Sequence, residues 1–190
     1  MQTHLRRIAV IGAGIAGRDL ALRCVRAGFD VVLEDVMPSR LRNAAALANA
    51  EQPLASDARL GALHLVSTVE DAVRNADLAV DFVPDELESK LEIFSMLDRM
   101  APPRTILCTP TTLSIADLAS CTYRPQLCFG LRFAEPDSAD LIHTSRTSPE
   151  ALRAVTNFLS AAGFAVTPRL DPAEGQPSSE STRAKSEHST

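Results

Sequence analysis

No apolar run in this sequence approaches the roughly 20 residues that a membrane-crossing helix needs. The basic residues near the start, Arg6 and Arg7, are followed by Ile8-Ala9-Val10-Ile11 and then by glycines, so a signal peptide would lack its apolar stretch. The expected address is the cytoplasm, with no membrane involvement. There is no basic excess either: the net charge is −5, and no cluster of lysine or arginine offers the basic face a nucleic-acid partner needs to replace phosphate counterions. The four cysteines, Cys24, Cys108, Cys121 and Cys128, repeat no CxxC or zinc-ribbon spacing, which leaves reduced, mostly buried thiols and no metal site as the reading. No internal repeat is visible.

What is there is a regular alternation. From Arg7 to about Leu170, short apolar runs at Ile8–Ile11, Val31–Glu34, Leu63–Val66, Leu78–Val83, Thr105–Cys108, Leu127–Leu131, Asp140–His143 and Phe164–Thr167 alternate with amphipathic stretches. Helices are expected at Ile15–Ala27, Pro38–Ala50, Val69–Asn75, Glu86–Met100, Ile115–Ala119 and Pro149–Ala162, with Gly28 and Gly163 as stops. Alternation of this kind is the sequence form of an α/β fold with a mainly parallel sheet. With 190 residues the chain fits one domain. From Asp171 to Thr190 it turns to Pro, Ser, Glu, Lys and Thr, which bury too little to offset ordering entropy, so residues 171–190 are expected as a disordered polar tail after a domain spanning 1–170.

The strongest motif is Gly12-Ala13-Gly14-Ile15-Ala16-Gly17, a GxGxxG between an apolar strand and a helix. Gly12 permits a tight turn, Gly14 lets backbone approach a pyrophosphate, and Gly17 lets the helix press on the strand. The amides at the helix start, around Ile15 and Ala16, then face the phosphates with a partial positive charge. About 20 residues further on, the second strand ends in Glu34-Asp35, and Asp35 is the choice for accepting the adenosine ribose hydroxyls. Its charge would repel a 2′-phosphate, so NAD is the expected cofactor, while nearby Arg40 and Arg42 keep NADP open. The fold class is therefore α/β, a Rossmann-type doubly wound, mainly parallel sheet in a single domain.

The run Ala76-Asp77-Leu78-Ala79-Val80-Asp81-Phe82-Val83-Pro84-Asp85-Glu86-Leu87-Glu88-Ser89-Lys90 resembles that of the 3-hydroxyacyl-CoA dehydrogenase family, with its ADLVIEAVPEDLELK pattern. The likeness continues through Ile93-Phe94-Ser95-Met96-Leu97-Asp98, Leu113-Ser114-Ile115, Arg124-Pro125 and Gly130-Leu131, and covers about residues 7 to 170. By this resemblance Asp85 stands where the family has a glutamate near the nicotinamide. Lys90 matches a lysine that helps bind the nucleotide; read without the resemblance, it is a solvated residue early in a helix.

Departures from the family fall on the chemistry. The family's SNTS stretch, whose serine helps hold the substrate oxygen, reads Cys108-Thr109-Pro110-Thr111-Thr112, leaving Thr109 to supply a hydroxyl while Pro110 removes a backbone donor. The family's catalytic histidine, in GxHFFNP, is replaced by Arg132, whose guanidinium stays protonated and can stabilise charge or bind an anion but cannot take a proton from an alcohol. The glutamate partner of that histidine corresponds to His143, or to Thr144 if the gap falls differently, and an imidazole there could replace the proton shuttle. The family also continues into a helical domain that shapes the acyl-CoA site and supports dimers, whereas this sequence runs into its polar stretch. The resemblance thus implies a substrate half that is absent, or comes from a homodimer or a partner chain. Two readings follow: an NAD-dependent oxidoreductase on a small acyl-type substrate with altered acid/base residues, or an inactive NAD(H)-binding sensor or partner subunit.

Overall fold

The computed structural model describes residues 5–50, 60–134 and 137–175. In chain order the elements are β1 (Arg7–Ile11), α1 (Ile15–Arg26), β2 (Asp30–Glu34), α2 (Pro38–Ala50), β3 (Leu63–Val66), α3 (Val69–Val73), β4 (Leu78–Asp81), α4 (Leu87–Met100), β5 (Ile106–Pro110), α5 (Ile115–Ser120), β6 (Cys128–Ala134), β7 (Ser138–His143), α6 (Pro149–Ala161) and β8 (Ala165–Leu170). All eight apolar runs are strands of one sheet, in the order β3-β2-β1-β4-β5-β6-β7-β8. Every pairing is parallel except that of β6 with β7.

The reason lies in the residues. The inner strands β1 and β4 are buried almost throughout, as a strand covered on both faces must be, and both read as continuous apolar runs. One face packs Val10, Leu33, Val80 and Phe129 under α1, α2 and α6 through Leu20, Cys24, Ala44, Val155 and Phe158. The other packs Ala9, Val32, Ala79 and Leu107 under α3, α4 and α5 through Val73, Phe94, Leu97 and Leu118. Helix α1 ends where Gly28 takes φ 89°, a left-handed turn that glycine alone enters without strain. The thiols are all free, and burial pushes Cys24 and Cys128 up to about 12, so they are packing groups.

Two joints form between residues far apart along the chain. Arg124, buried beneath the end of α4, gives Nε to Asp98 Oδ1 at 2.7 Å and NH2 to the Asp98 and Ala101 carbonyls at 2.6 and 3.2 Å. It thus supplies donors to carbonyls that a helix terminus leaves without partners. The second joint corrects the boundary of the polar tail. Asp171 is only 3% exposed and its Oδ2 accepts from Ser114 Oγ at 3.0 Å and from the Ala116 amide at 2.9 Å, tying the chain to the start of α5. Pro172–Gly175 then forms a 3-10 turn, with Glu174 accepting from the Ser145 amide at 2.6 Å. Composition undervalued these acids because their hydrogen bonds, not apolar area, hold them. The rest of the expected tail, 176–190, lies outside the described residues.

Candidate dinucleotide-binding crevice

The strand order runs outward from β1 to β3 on one side and from β4 onward on the other, so the sheet reverses its winding between β1 and β4. Ligands of such sheets sit at the carboxyl ends of the strands at this reversal. The glycine loop lies there. Gly12 turns with φ 100° and its amide donates to the Glu34 carbonyl at 2.9 Å, while the Phe82 amide donates to Ile11 at 2.8 Å. A Cβ on Gly17 would stand 2.0 Å from the Gly12 carbonyl oxygen, so this glycine lets α1 close on the loop. A Cβ on Gly14 would meet nothing within 4 Å, and Gly14 caps α1 with no side-chain hydrogen bond. The first amides of α1, at Ile15 and Ala16, therefore face an open cradle of the kind a pyrophosphate fills. These observations fit a dinucleotide.

Asp35 closes the same loop from β2. Its Oδ2 accepts from the Ala13 amide at 2.9 Å, its Oδ1 from the Met37 amide at 2.8 Å, and Arg40 lies 3.3 Å away. Burial by itself would raise this carboxyl; the two amides and Arg40 outweigh it and hold Asp35 below the usual carboxylate range. Glu34 beside it is pushed up, by burial first and then by the Asp35 charge. Arg42 is exposed on α2.

At the other end of the crevice Asp85 joins two loops. It accepts from Thr111 Oγ1 at 2.5 Å and from the Thr112 amide and hydroxyl at 2.8 Å each. Against burial, those bonds and the Lys90 charge hold its carboxyl low. Lys90 is neither solvated nor open to a ligand in this conformation: its side chain has no exposed surface, and Nζ lies 2.8 Å from Asp81 Oδ1, which is equally enclosed. Both expectations for Lys90 are thus corrected, because α4 docks with this face inward. Asp81 is pushed up by burial, against the pull of Lys90, and its Oδ2 has no hydrogen-bond partner. The missed signal was an acid ending the otherwise apolar strand Leu78-Ala79-Val80-Asp81, one helix entry before a lysine.

Two further expectations are corrected. Thr109 has no exposed surface in this conformation, its hydroxyl lying near the Asp81 carboxylate and 3.5 Å from the Pro110 carbonyl, so it presents nothing to a substrate oxygen; the exposed threonine of this loop is Thr112. His143 does not join Arg132. Opposite residues of an antiparallel pair share a face, and Arg132 stands opposite Asp140, with Gly130 opposite Ile142. His143 follows Ile142 and so points to the opposite face, three residues, or about 10 Å, further along β7. There its Nδ1 lies 3.2 Å from the Thr144 carbonyl. Thr144 is buried, its amide bonded to Thr147, and is no closer to the crevice. Arg132 itself is half-buried at the carboxyl end of β6, with Nε 3.5 Å from the Thr111 carbonyl.

An open doubly wound sheet with a bare glycine cradle at its reversal and a carboxylate after β2 defines a nicotinamide-dinucleotide-binding domain. The chain belongs to the family described as 3-hydroxyacyl-CoA dehydrogenase, NAD binding domain, whose profile matches residues 7–167. NAD is accordingly the dinucleotide of this fold. The chain is 33% identical over 146 residues to the probable 3-hydroxybutyryl-CoA dehydrogenase of Bacillus subtilis (strain 168), covering 70% of this chain and 50% of that protein. It is 31% identical over 174 residues to L-carnitine dehydrogenase of Pseudomonas putida, covering 85% and 54%. Among solved structures, a diketoreductase studied for dual catalysis of dicarbonyl compounds matches with a TM-score of 0.76 at 28% identity, over 87% of this chain and 64% of that one. The chain spans about half the length of the curated relatives it matches.

Proposed function

We propose that this chain binds NAD(H) across the β1–β4 crevice and forms the cofactor half of an oxidoreductase acting on a hydroxyacyl or ketoacyl substrate. The observation that carries the reading is the open cradle at Gly14, bordered by the first turn of α1 and by the Asp35 clamp. The relatives named for 3-hydroxybutyryl-CoA and L-carnitine support the substrate class. When bound, the nicotinamide would supply the hydride that is exchanged with the substrate's carbonyl carbon.

The chain's own residues bind and orient. Gly12 and Gly17 shape the loop, the α1 amides hold the diphosphate, and Asp35 accepts the ribose hydroxyls in exchange for its bond to Arg40. Asp85, Thr111 and Thr112 fix the nicotinamide end. Arg132 offers permanent positive charge where substrate oxygens gather, which a preorganised site can use without moving a proton. Four unbridged cysteines suit the reducing cytoplasm, where we place this activity. We propose in addition that the chain associates with a second copy or a partner chain, and sedimentation at a mass above the 20.4 kDa of one chain is its signature.

Calorimetric titration tests the reading: NADH is expected to bind about tenfold or more tightly than NADPH, because the Asp35 carboxylate repels a 2′-phosphate. Equal affinities would remove the role given to Asp35. Loss of NADH absorbance with acetoacetyl-CoA or acetoacetate then reads turnover, and binding without any turnover would leave a cofactor-binding subunit.

A further inference from the structure

Among the described residues, the side chain at the substrate end of the crevice that carries charge without a protein counter-ion is Arg132. Two carboxylates of the described residues stand near it in the fold, and both are committed elsewhere. Asp85 accepts three hydrogen bonds from Thr111 and Thr112. Asp140, directly opposite Arg132 on β7 and on the same face, pairs with Arg169 at 2.8 Å. Among the described residues, Arg132 has no carboxylate at ion-pair distance, and its one hydrogen bond is the 3.5 Å contact of Nε with the Thr111 carbonyl. The two terminal nitrogens of the guanidinium are left as a planar, permanently charged fork beside the loop that positions the nicotinamide.

We infer that Arg132 binds the carboxylate of an unesterified 3-oxo or 3-hydroxy acid, so that the substrate is a small free acid and not a thioester. This rests on the oxidoreductase reading and narrows it. A planar fork matches the two oxygens of a carboxylate, giving parallel charge-assisted hydrogen bonds, and a half-buried setting strengthens them over water. In a 3-oxo acid the carboxylate lies two bonds from the carbonyl carbon that receives the hydride, so one cation at the end of β6 anchors the first and aims the second. In a thioester the corresponding oxygen is neutral, and the charged phosphates lie at the far end of a long arm. A neutral acyl group offers nothing to repay the desolvation of a guanidinium, whereas a carboxylate does.

The test uses the full chain saturated with NADH and two probes, acetoacetate and acetoacetyl-CoA, with binding read by calorimetry and by the fluorescence of the bound NADH. Acetoacetate is expected to bind the unaltered chain, and Arg132→Gln to weaken it about tenfold or more, with Arg132→Lys intermediate because charge survives and the fork does not. NADH affinity should be unchanged in both variants, which also shows that they fold. Failure of acetoacetate to bind, equal binding by Arg132→Gln, or preferential binding of acetoacetyl-CoA by the unaltered chain would each overturn the inference while leaving the oxidoreductase reading standing. Absence of NADH binding by the unaltered chain would overturn both.

Discussion

Lys90 and Asp81 have both given up water entirely, a cost offset chiefly by their mutual attraction and in part by the Val83 amide, which donates to Asp81 Oδ1 at 3.3 Å. Removing the cation alone would leave the Asp81 carboxylate, one oxygen of which already lacks a partner, buried and uncompensated. Lys90→Met is therefore expected to cost about 3–5 kcal/mol of stability, and adding Asp81→Asn to recover part of that loss. Urea unfolding of the two single variants and the double variant checks this; additive losses would mean the pair is not coupled. Residue type was legible for both partners, but their meeting was not, since Lys90 looks like any lysine early in a helix. Thr109 and His143 teach the same lesson from the opposite direction. Each has chemistry suited to the site, yet Thr109, on the same face as Arg132, is buried beneath it, and strand pleating turns His143 to the opposite face, where one residue of offset along a strand puts it.

The glycine loop, an element of strand, turn and helix, separates packing from binding within six residues. At Gly17 a methyl group would meet the Gly12 carbonyl oxygen at 2.0 Å, backbone that cannot swing aside, with the Phe82 ring also 3.2 Å away. Gly17→Ala should thus destabilise the chain by about 1–3 kcal/mol, read as a lower melting temperature. At Gly14 the backbone is extended, φ −63° and ψ −176°, and an added side chain points into open space. Gly14→Val should keep stability within about 1 kcal/mol while NADH affinity falls sharply, because the branched side chain occupies the diphosphate cradle. A calorimetric trace with NADH on the folded Gly14→Val protein decides it, and undiminished affinity would place the phosphates elsewhere. This element was read in full from its sequence, because a turn and a helix start depend on neighbouring residues alone.

Across the whole molecule, five carboxylates fall into two groups with opposite effects on stability. Asp35, Asp85 and Asp171 are held below the ordinary value of 3.8 by hydrogen bonds that outweigh burial. Their stabilisation is complete above that value and is lost as pH falls through the depressed ones. Glu34 and Asp81 are raised, first by burial, so ionising them weakens the fold, and lowering the pH through their raised values returns that contribution. Stability is expected to hold or rise slightly on mild acidification and to fall below about pH 4, with the fall shallower in Asp171→Asn. Chemical unfolding at a series of pH values would show it; a decline beginning near neutrality would contradict the assignment of Glu34 and Asp81 to the raised group.

The sequence by itself determined the elements and their sites of turning. Pro38–Ala50 and Leu63–Val66 fall where periodicity puts them, and the crossover loop carries its own chemistry, because such features are decided by residues close along the chain. Only the tertiary structure decided which side chains meet: Lys90 with Asp81, Asp85 with Thr111, Arg124 with Asp98, Asp171 with the start of α5, and Arg132 with no acid among the described residues. These pairings depend on the register of strands and the docking of helices from distant parts of the chain. No local pattern encodes them, and the free energy of burying charge acts only once the partners are in place.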